Sequence, residues 1–248
     1  MSTPCQNTTL LGNIDESGTM NSSEINSFIK RMKEDWMDDN KEKFNSLPII
    51  PTLLRTDFDV ILTSVKHHGL ALSTASTELK GNIEIVTAAV KQNGWSLRVA
   101  SRELRGNKDI VMTAVKNQGY ALQYSSEELR DDFDIVMAAV EQCGYALQFA
   151  SRGLSMDSKI VMAAVTNISY ALEYASDQMK CDFNIVMAVV TRCGWALKYA
   201  SKELRGNIKI VLASLDNNKD AFQFINQEMF IISLVQHYLE NHYNNRTN

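Results

Sequence analysis

Proline is nearly absent from this sequence: only three prolines occur in 248 residues, and none follows Pro51. A proline inside a helix removes a backbone hydrogen bond and clashes with the preceding turn, so a long proline-free stretch favours helices. Glycine is also modest, at 11 residues. The low content of both residues excludes a collagen-like or low-complexity chain.

Cysteine is scarce as well. The four cysteines are too widely spread for a disulfide scaffold, and none has Cys-x-x-Cys spacing. No apolar run approaches the about 18–20 residues that cross a bilayer, and the polar start lacks the apolar core of a signal peptide. These absences predict a cytoplasmic protein with no membrane span. The net charge of -4 argues against a generally basic nucleic-acid binder.

An internal repeat with a period of 25 residues is the strongest feature of the sequence. The Asn or Asp that opens each repeat recurs at Asp57, Asn82, Asn107, Asp132, Asp157, Asp182 and Asn207. A glycine recurs at Gly69, Gly94, Gly119, Gly144 and Gly194, with Ser169 in one repeat. An apolar residue recurs at Leu54, Leu79, Leu104, Leu129, Leu154, Met179, Leu204 and Met229. Seven repeats follow, and the seventh carries Lys219 in place of the glycine.

Each repeat is predicted to fold as two short helices, which we call helix A and helix B. The opening Asn or Asp is expected to cap helix A, a contribution of about 1 kcal/mol. The apolar block of helix A, such as Ile85 to Val90, covers most of the helix circumference, so we expect burial on several sides. The glycine is expected to end helix A in the left-handed conformation. A serine after helix B, such as Ser101, is expected to cap a further tight turn that carries the Leu79-type residue.

A hairpin of this size cannot bury its own apolar face, but stacked neighbours can, and this predicts an all-α solenoid of seven two-helix repeats. The segment Glu24 to Phe44 has Ile25, Phe28 and Ile29 on one face and is expected to cap the first repeat. The predicted divisions are a disordered start at 1–20, a capping helix and linker at 21–54, the solenoid at 55–231, a capping helix at 230–241 and a disordered tail at 242–248.

Two segments carry a resemblance to a known family. Asp134 to Ser151 reads DIVMAAVEQCGYALQFAS, and Trp195 to Asn207 reads WALKYASKELRGN. These repeats resemble the helical-repeat family catalogued as domain of unknown function 4116, over about Asp57 to Met229. The resemblance implies no established activity and no catalytic residues. That family occurs in intracellular bacteria, giant viruses and protists, often in chains that look like host-directed effectors.

Candidates for chemistry are weak. His67 and His68 are adjacent and point about 100° apart on a helix, so they do not easily share one metal ion. Cys143 and Cys193 occupy the same position two repeats apart, which stacking would separate by roughly 20 Å. The serine after helix B recurs, so its explanation is structural. We therefore predict no catalytic residue, no metal site and no cofactor.

An aromatic ladder recurs on helix B. Its pairs are Tyr120/Tyr124, Tyr145/Phe149, Tyr170/Tyr174 and Trp195/Tyr199. Two interpretations stay open at this point. The rings either pack between repeats and against helix A or offer an exposed platform for bases or peptide side chains.

A variable polar stripe follows the same helix, one residue pair per repeat. The candidate binding residues are Arg98, Arg102, Gln123, Glu127, Gln148, Arg152, Glu173, Asp177, Lys198 and Lys202, and Ser73/Thr77 is the equivalent pair of the first repeat. The stripe is either an ordinary solvated face or a modular binding surface for a peptide or single-stranded RNA. Over residues 55–215 there are 18 Lys or Arg against 17 Asp or Glu, and this near-neutral balance disfavours nucleic acid.

Three functions follow in order of preference. The first is a non-enzymatic protein-interaction scaffold, with a host-cell protein as partner if the chain is a secreted effector. The second is a single-stranded RNA-binding repeat protein. The third is an enzyme with a cryptic site in the concave surface, which would need a deep pocket holding a perturbed carboxylate or thiol. The sequence does not define the oligomeric state.

Overall fold

The computed structural model describes residues 22–37, 50 and 52–234. Within these residues every regular element is helical, and the predicted all-α solenoid is confirmed. Contacts divide the chain into two compact units, 1–113 and 114–248, which are described separately below. Unit 1 holds the first two repeats and the start of the third, and unit 2 holds the remainder.

Helix A is a short α-helix in each repeat. The α-helices are α1 (Ser22–Met37), α2 (Phe58–His67), α3 (Ile83–Gln92), α4 (Arg102–Arg105), α5 (Lys108–Asn117), α6 (Glu127–Arg130), α7 (Phe133–Gln142), α8 (Ser158–Asn167), α9 (Asp177–Lys180), α10 (Phe183–Val190), α11 (Ile208–Asn217) and α12 (227–234). The seven helices A are α2, α3, α5, α7, α8, α10 and α11. The predicted caps are confirmed: Asn82 Oδ1, for example, accepts from the backbone N–H groups of Glu84 and Ile85 at 3.0 and 3.1 Å.

Helix B is a 3₁₀ helix, not the short α-helix that the repeat predicted. Its seven copies are Gly69–Thr74, Gly94–Val99, Gly119–Tyr124, Gly144–Phe149, Ser169–Tyr174, Gly194–Tyr199 and Lys219–Phe224. The residue before each helix B has extended backbone, as Asn93 shows with φ −151° and ψ 112°. This residue, rather than a left-handed glycine, ends helix A, so the predicted role of the glycine was wrong.

The glycine is required because the next repeat approaches too closely for a side chain. A Cβ on Gly69 would lie 2.5 Å from the carbonyl oxygen of Ala89. In unit 2, a Cβ on Gly144 would collide in the same way with the carbonyl oxygen of Ala164. We call this contact the glycine joint, because it sets how closely consecutive repeats stack.

An amide side chain from the next helix A bridges the glycine joints at Gly69, Gly119, Gly144 and Gly194. In unit 2, Asn167 Oδ1 accepts from Gly144 N–H at 2.8 Å, and its Nδ2 donates to the Glu141 carbonyl at 2.8 Å. The described bridging residues are Gln92, Gln142, Asn167 and Asn217. Each bridge satisfies a glycine N–H that stacking removes from water.

One joint in unit 2 lacks both the glycine and the bridging amide. Ser169 replaces the glycine, and Arg192 replaces the amide. An arginine side chain has no acceptor, and Arg192 donates only to the Thr166 carbonyl, at 2.6 Å. The helix that faces Ser169, α10, is 8 residues long where α7 and α8 have 10. The added Cβ of a serine at this contact is consistent with the early end of α10.

A short turn after helix B, which we call turn C, completes each repeat. The predicted serine cap is confirmed: Ser101 Oγ accepts from Leu104 N–H at 3.3 Å. The serine backbone also reaches the preceding turn C, since Ser151 N–H donates to the Arg130 carbonyl at 2.8 Å. Where turn C is not one of the short α-helices above, it is a 3₁₀ turn at Leu79–Gly81, Leu154–Met156 or Leu204–Gly206. A further 3₁₀ turn, Thr52–Leu54, precedes the first repeat.

The core is formed by one side of helix A and the small and aliphatic residues of helix B. In α7 the buried residues are Ile135, Val136, Ala139 and Val140, each 0% exposed, whereas Met137 and Ala138 are half-buried. Helix A is therefore open on its outer side. The prediction of burial on several sides was wrong there, and the open side forms the surface described below.

Helices also lie next to the first and seventh repeats. In unit 1, α1 packs against α2, with Ile25, Phe28 and Ile29 half-buried. In unit 2, Ser233 Oγ of α12 accepts from Ile208 N–H at 3.2 Å. The predictions for residues 1–20, 38–49 and 235–248 lie outside the described residues.

Candidate functional site

The polar stripe predicted from the sequence is a surface feature. Of its ten residues, nine are exposed, and Gln123 is half-buried. The two members of each pair lie on different elements, the first on helix B and the second in turn C. The expected spacing of one α-helical turn is therefore wrong, because helix B ends between the two residues. The stripe still presents one pair per repeat.

Three stripe residues on helix B, Gln123, Gln148 and Lys198, contact groups of their own repeat, and Lys198 also lies 5.8 Å from the centre of the Tyr170 ring of the preceding repeat. Gln123 donates to the Tyr120 carbonyl at 3.1 Å, and Gln148 donates to the Tyr145 carbonyl at 3.0 Å. Lys198 Nζ lies 4.4 Å from the centre of the Tyr199 ring. A hydrogen bond with Tyr199 raises the pKa of Lys198. These contacts orient the side chains while leaving Gln148 and Lys198 in solvent.

The aromatic ladder of unit 2 is a set of contacts between neighbouring repeats. The four ring pairs meet edge to face, with centroids 5.4–6.1 Å apart: Tyr120–Phe149, Tyr145–Tyr174, Tyr170–Tyr199 and Trp195–Phe224. All of these rings are half-buried. The interpretation as packing between repeats is confirmed for these pairs, which join the first aromatic position of one repeat to the second of the next.

Two cysteines pack beside the ladder tyrosines. A hydrogen bond with the Cys193 thiol, followed by burial, raises the pKa of Tyr170. Burial, followed by the charge of Cys143, raises the pKa of Tyr120. Both cysteines are free and half-buried. Their position immediately before helix B makes them small residues at the end of helix A, as the repeat predicted.

The histidines that the structure describes lie at the end of α2. His67 is exposed, and His68 is half-buried with Nδ1 buried and without a hydrogen bond. No group of three His, Cys, Asp or Glu side chains among the described residues is arranged to hold a metal ion. His237 and His242 lie outside the described residues.

A surface that sequence reasoning missed lies along the outer side of helix A. In unit 1, the space between α2 and α3 forms an open depression, which we call groove 1. Groove 1 is lined chiefly by Leu62, Lys66, Ile83, Thr87, Ala88 and Lys91. Its apolar floor includes Ile83, which is 58% exposed.

A second depression, groove 2, occupies the equivalent surface of unit 2 around α8. Its lining includes Glu141, Lys159, Met162, Ala163, Thr166 and Asn184. A sequence signal for both grooves existed in the half-polar outer positions of helix A. This signal was missed because the dense apolar block of helix A predicted a helix buried on several sides.

A scan against protein-family models matched this chain five times. The model described as Domain of unknown function (DUF4116) covers residues 57–105, 107–156, 139–180, 157–205 and 182–230. Four of these matches begin at the residue that opens a repeat. The chain belongs to the DUF4116 family. This result confirms the resemblance drawn from the repeat sequences.

Searches of curated proteins and of solved structures returned no match. The DUF4116 repeats of this chain are therefore interpreted from their own geometry. In the part of the chain that the structure describes, no helix is both long and apolar enough to cross a membrane.

Proposed function

We propose that this DUF4116 chain is a non-enzymatic scaffold that binds another protein through its polar stripe. The carrying observation is the contrast between fixed and variable positions in each repeat. Glycine, cap and core positions hold the backbone nearly constant, while the charge of the stripe pair differs between successive repeats, running neutral, +2, -1, +1, -2 and +2 from the first repeat to the sixth. Modular recognition by helical repeats uses such an arrangement, with one variable set of side chains per repeat.

The fifth and sixth repeats give this proposal its sharpest charge contrast. Glu173 and Asp177 form an acidic pair, and Lys198 and Lys202 form a basic pair one repeat later. All four side chains are exposed. A partner that reads this surface must carry complementary charges in the opposite order, which supplies specificity more than raw affinity.

The experiment is a pull-down from eukaryotic cytosol with the wild-type chain and a charge-exchanged variant. The variant carries Glu173→Lys, Asp177→Lys, Lys198→Glu and Lys202→Glu, so its net charge equals that of the wild type. The control exchanges Glu141→Lys and Lys159→Glu on the helix A side of unit 2. We expect a protein captured by the wild type and the control to be lost by the stripe variant. Repeated absence of any captured protein would contradict the proposal.

Single-stranded RNA binding is the second candidate function, because a pair of half-buried aromatic rings recurs near the stripe in the third to sixth repeats. Three observations weigh against it. The ladder rings already contact one another, the described repeats are nearly neutral, and the acidic pair of the fifth repeat interrupts a path for phosphates. Measurement of RNA affinity at two salt concentrations decides the matter: salt-sensitive micromolar binding would favour RNA.

An enzyme remains the third candidate. It would require a perturbed acid or thiol in a deep pocket. Glu203 is the described carboxylate whose pKa is lowered, by hydrogen bonds from its own backbone N–H and from the Ser201 hydroxyl. It lies in an exposed turn C, outside the linings of grooves 1 and 2. This arrangement supports a capping role for Glu203.

A host-cell partner is the finer form of the proposal and rests on the family resemblance. The same pull-down tests it when cytosol from a eukaryotic cell and from a bacterium are compared. Capture of one protein from eukaryotic cytosol alone would support an effector role. Capture from bacterial cytosol alone would contradict it.

A further inference from the structure

Groove 1 has an apolar floor, and charged side chains stand at its ends. Leu62, Ile83, Thr87 and Ala88 form the floor between α2 and α3. Lys66 and Lys91 stand at the carboxyl ends of the two helices, and Glu84 stands near the amino end of α3. Two lysines against one glutamate give the lining a net positive charge.

The order of charges follows from the helix geometry. In α2 and α3, the residue two positions after the cap is acidic (Asp59 and Glu84), and the residue nine positions after the cap is lysine. A separation of seven residues is close to two helical turns, so acid and lysine share one face about 10.5 Å apart. The floor residues Leu62 and Thr87 lie between them on that face. Both helices therefore present the same series of acid, floor residue and lysine.

The floor of groove 1 includes an exposed aliphatic side chain at the first position of α3, the position where Phe133 and Phe183 are exposed in unit 2. Ile83 follows the cap of α3 and is 58% exposed, although the aliphatic side chains two and three positions later, Ile85 and Val86, are 0% exposed. An isoleucine in this position contributes little to the repeat core. It would lose most of its contact with water if another side chain lay in the groove.

Groove 2 has a different order of charges, which makes groove 1 selective. In α8 the position two residues after the cap is Lys159, and the position nine residues after it is Thr166. Glu141 stands at the carboxyl end of the neighbouring helix α7. The lining of groove 2 also includes Asp182, so groove 2 has one lysine against two acidic side chains, whereas groove 1 has two lysines against one glutamate. A ligand matched to one groove meets the wrong charge in the other.

We propose that groove 1 binds an acidic segment of a partner protein, with an apolar side chain on the floor and carboxylates beside Lys66 and Lys91. This inference rests on the proposed function, because it names the chemistry of a protein partner and a second surface for it. An acidic peptide fits better than nucleic acid, since the apolar floor suits an apolar side chain and not a sugar-phosphate backbone. It fits better than a basic peptide, since Lys66 and Lys91 both stand at the carboxyl ends of their helices, away from the acids at the amino ends.

The test is selection from a phage-displayed library of random peptides by the wild-type chain. The enriched peptides are expected to share an aliphatic or aromatic residue flanked by Asp or Glu. Lys66→Glu with Lys91→Glu is expected to weaken binding of an enriched peptide by about tenfold or more, and added salt is expected to weaken wild-type binding. Ile83→Gln changes the exposed floor residue alone and is expected to weaken binding without changing the melting temperature.

The matched control is Lys198→Glu with Lys202→Glu, which makes the same change in net charge on the stripe. This control is expected to bind the selected peptide within about twofold of the wild type, since those charges lie outside the groove. Enrichment of peptides without acidic residues would overturn the inference, and so would equal binding by the Lys66/Lys91 variant. If stripe-dependent protein capture persists in that case, the proposed function stands. Failure of both capture and selection would overturn both proposals.

Discussion

The sixth and seventh repeats of unit 2 have the same order of helices, but equivalent side chains differ in how far they are buried. Leu197, in helix B of the sixth repeat, is 0% exposed, whereas Phe222, its equivalent in the seventh, is 60% exposed. Gly194 donates its N–H to Asn217 at 2.7 Å, whereas Lys219 occupies the glycine position of the seventh repeat. Leu197 and Gly194 are therefore buried by the repeat that follows them and not by their own repeat.

This difference shows which residues allow one repeat to stack on the next. A Cβ at Gly194 would collide with the Ser214 carbonyl of the following repeat. A lysine at this position therefore blocks a further repeat stacked in the same register. The seventh repeat also carries Asp220 where the sixth has Trp195. Its sequence fits a repeat that ends the stack, with helix α12 beside it.

The largest expected effect compares the two equivalent core positions. Leu197→Ala is expected to lower the free energy of unfolding by about 2–5 kcal/mol, because it leaves a cavity in a closed core. Phe222→Ala is expected to cost less than about 1 kcal/mol, because most of that ring is already in water. Urea unfolding of both variants measures the difference. Equal losses would show that Phe222 is buried in solution and would break the comparison.

The glycine joint gives the next effect. Gly144→Ala is expected to cost about 1–3 kcal/mol, since the new methyl group collides with the Ala164 carbonyl oxygen. Gly153→Ala is the control, because its nearest neighbours would lie 3.7 Å away and its backbone is helical, with φ −61°. The control is expected to be neutral or to stabilise by about 0.4–1 kcal/mol. Two similar denaturation midpoints would show that the joint has room to relax.

The amide bridge gives a smaller effect. Asn167→Ala is expected to cost about 1–2 kcal/mol, because it leaves the partly buried Gly144 N–H without its acceptor. Asn184→Ala removes an exposed asparagine from α10 and is expected to change stability by less than about 0.5 kcal/mol. Hydrogen exchange at Gly144 provides the direct reading. An unchanged exchange rate in Asn167→Ala would contradict the bridging role.

Much of this fold could be predicted from the sequence because the repeat multiplies weak local signals. One Asn82 is a weak indication of a cap, but seven Asn or Asp residues at one spacing are strong, and the structure confirms their hydrogen bonds. The serine of turn C was predicted for the same reason. The period of 25 residues also predicted stacking, since an isolated hairpin has too little core.

The remaining features depend on contacts between repeats that a pattern does not specify. A glycine is compatible with a left-handed helix end and with a close approach, and only the position of the Ala164 carbonyl distinguishes them. The six residues of helix B are too few to separate a 3₁₀ helix from an α-helix. The recurring amide residues, among them Gln92 and Gln142, are visible in the sequence. Their bridging role could be recognised only from the structure, which places each of them against the glycine of the preceding repeat.

The central claim is that stacking and recognition use different positions of the same repeat. The most direct measurement is the affinity of a captured partner for the charge-exchanged stripe variant of the fifth and sixth repeats, with its urea midpoint determined in parallel. The account predicts an unchanged midpoint, because exposed charges contribute less than about 0.5 kcal/mol, together with an affinity lowered by about tenfold or more. An unchanged affinity, or a variant that unfolds at lower urea, would contradict the claim.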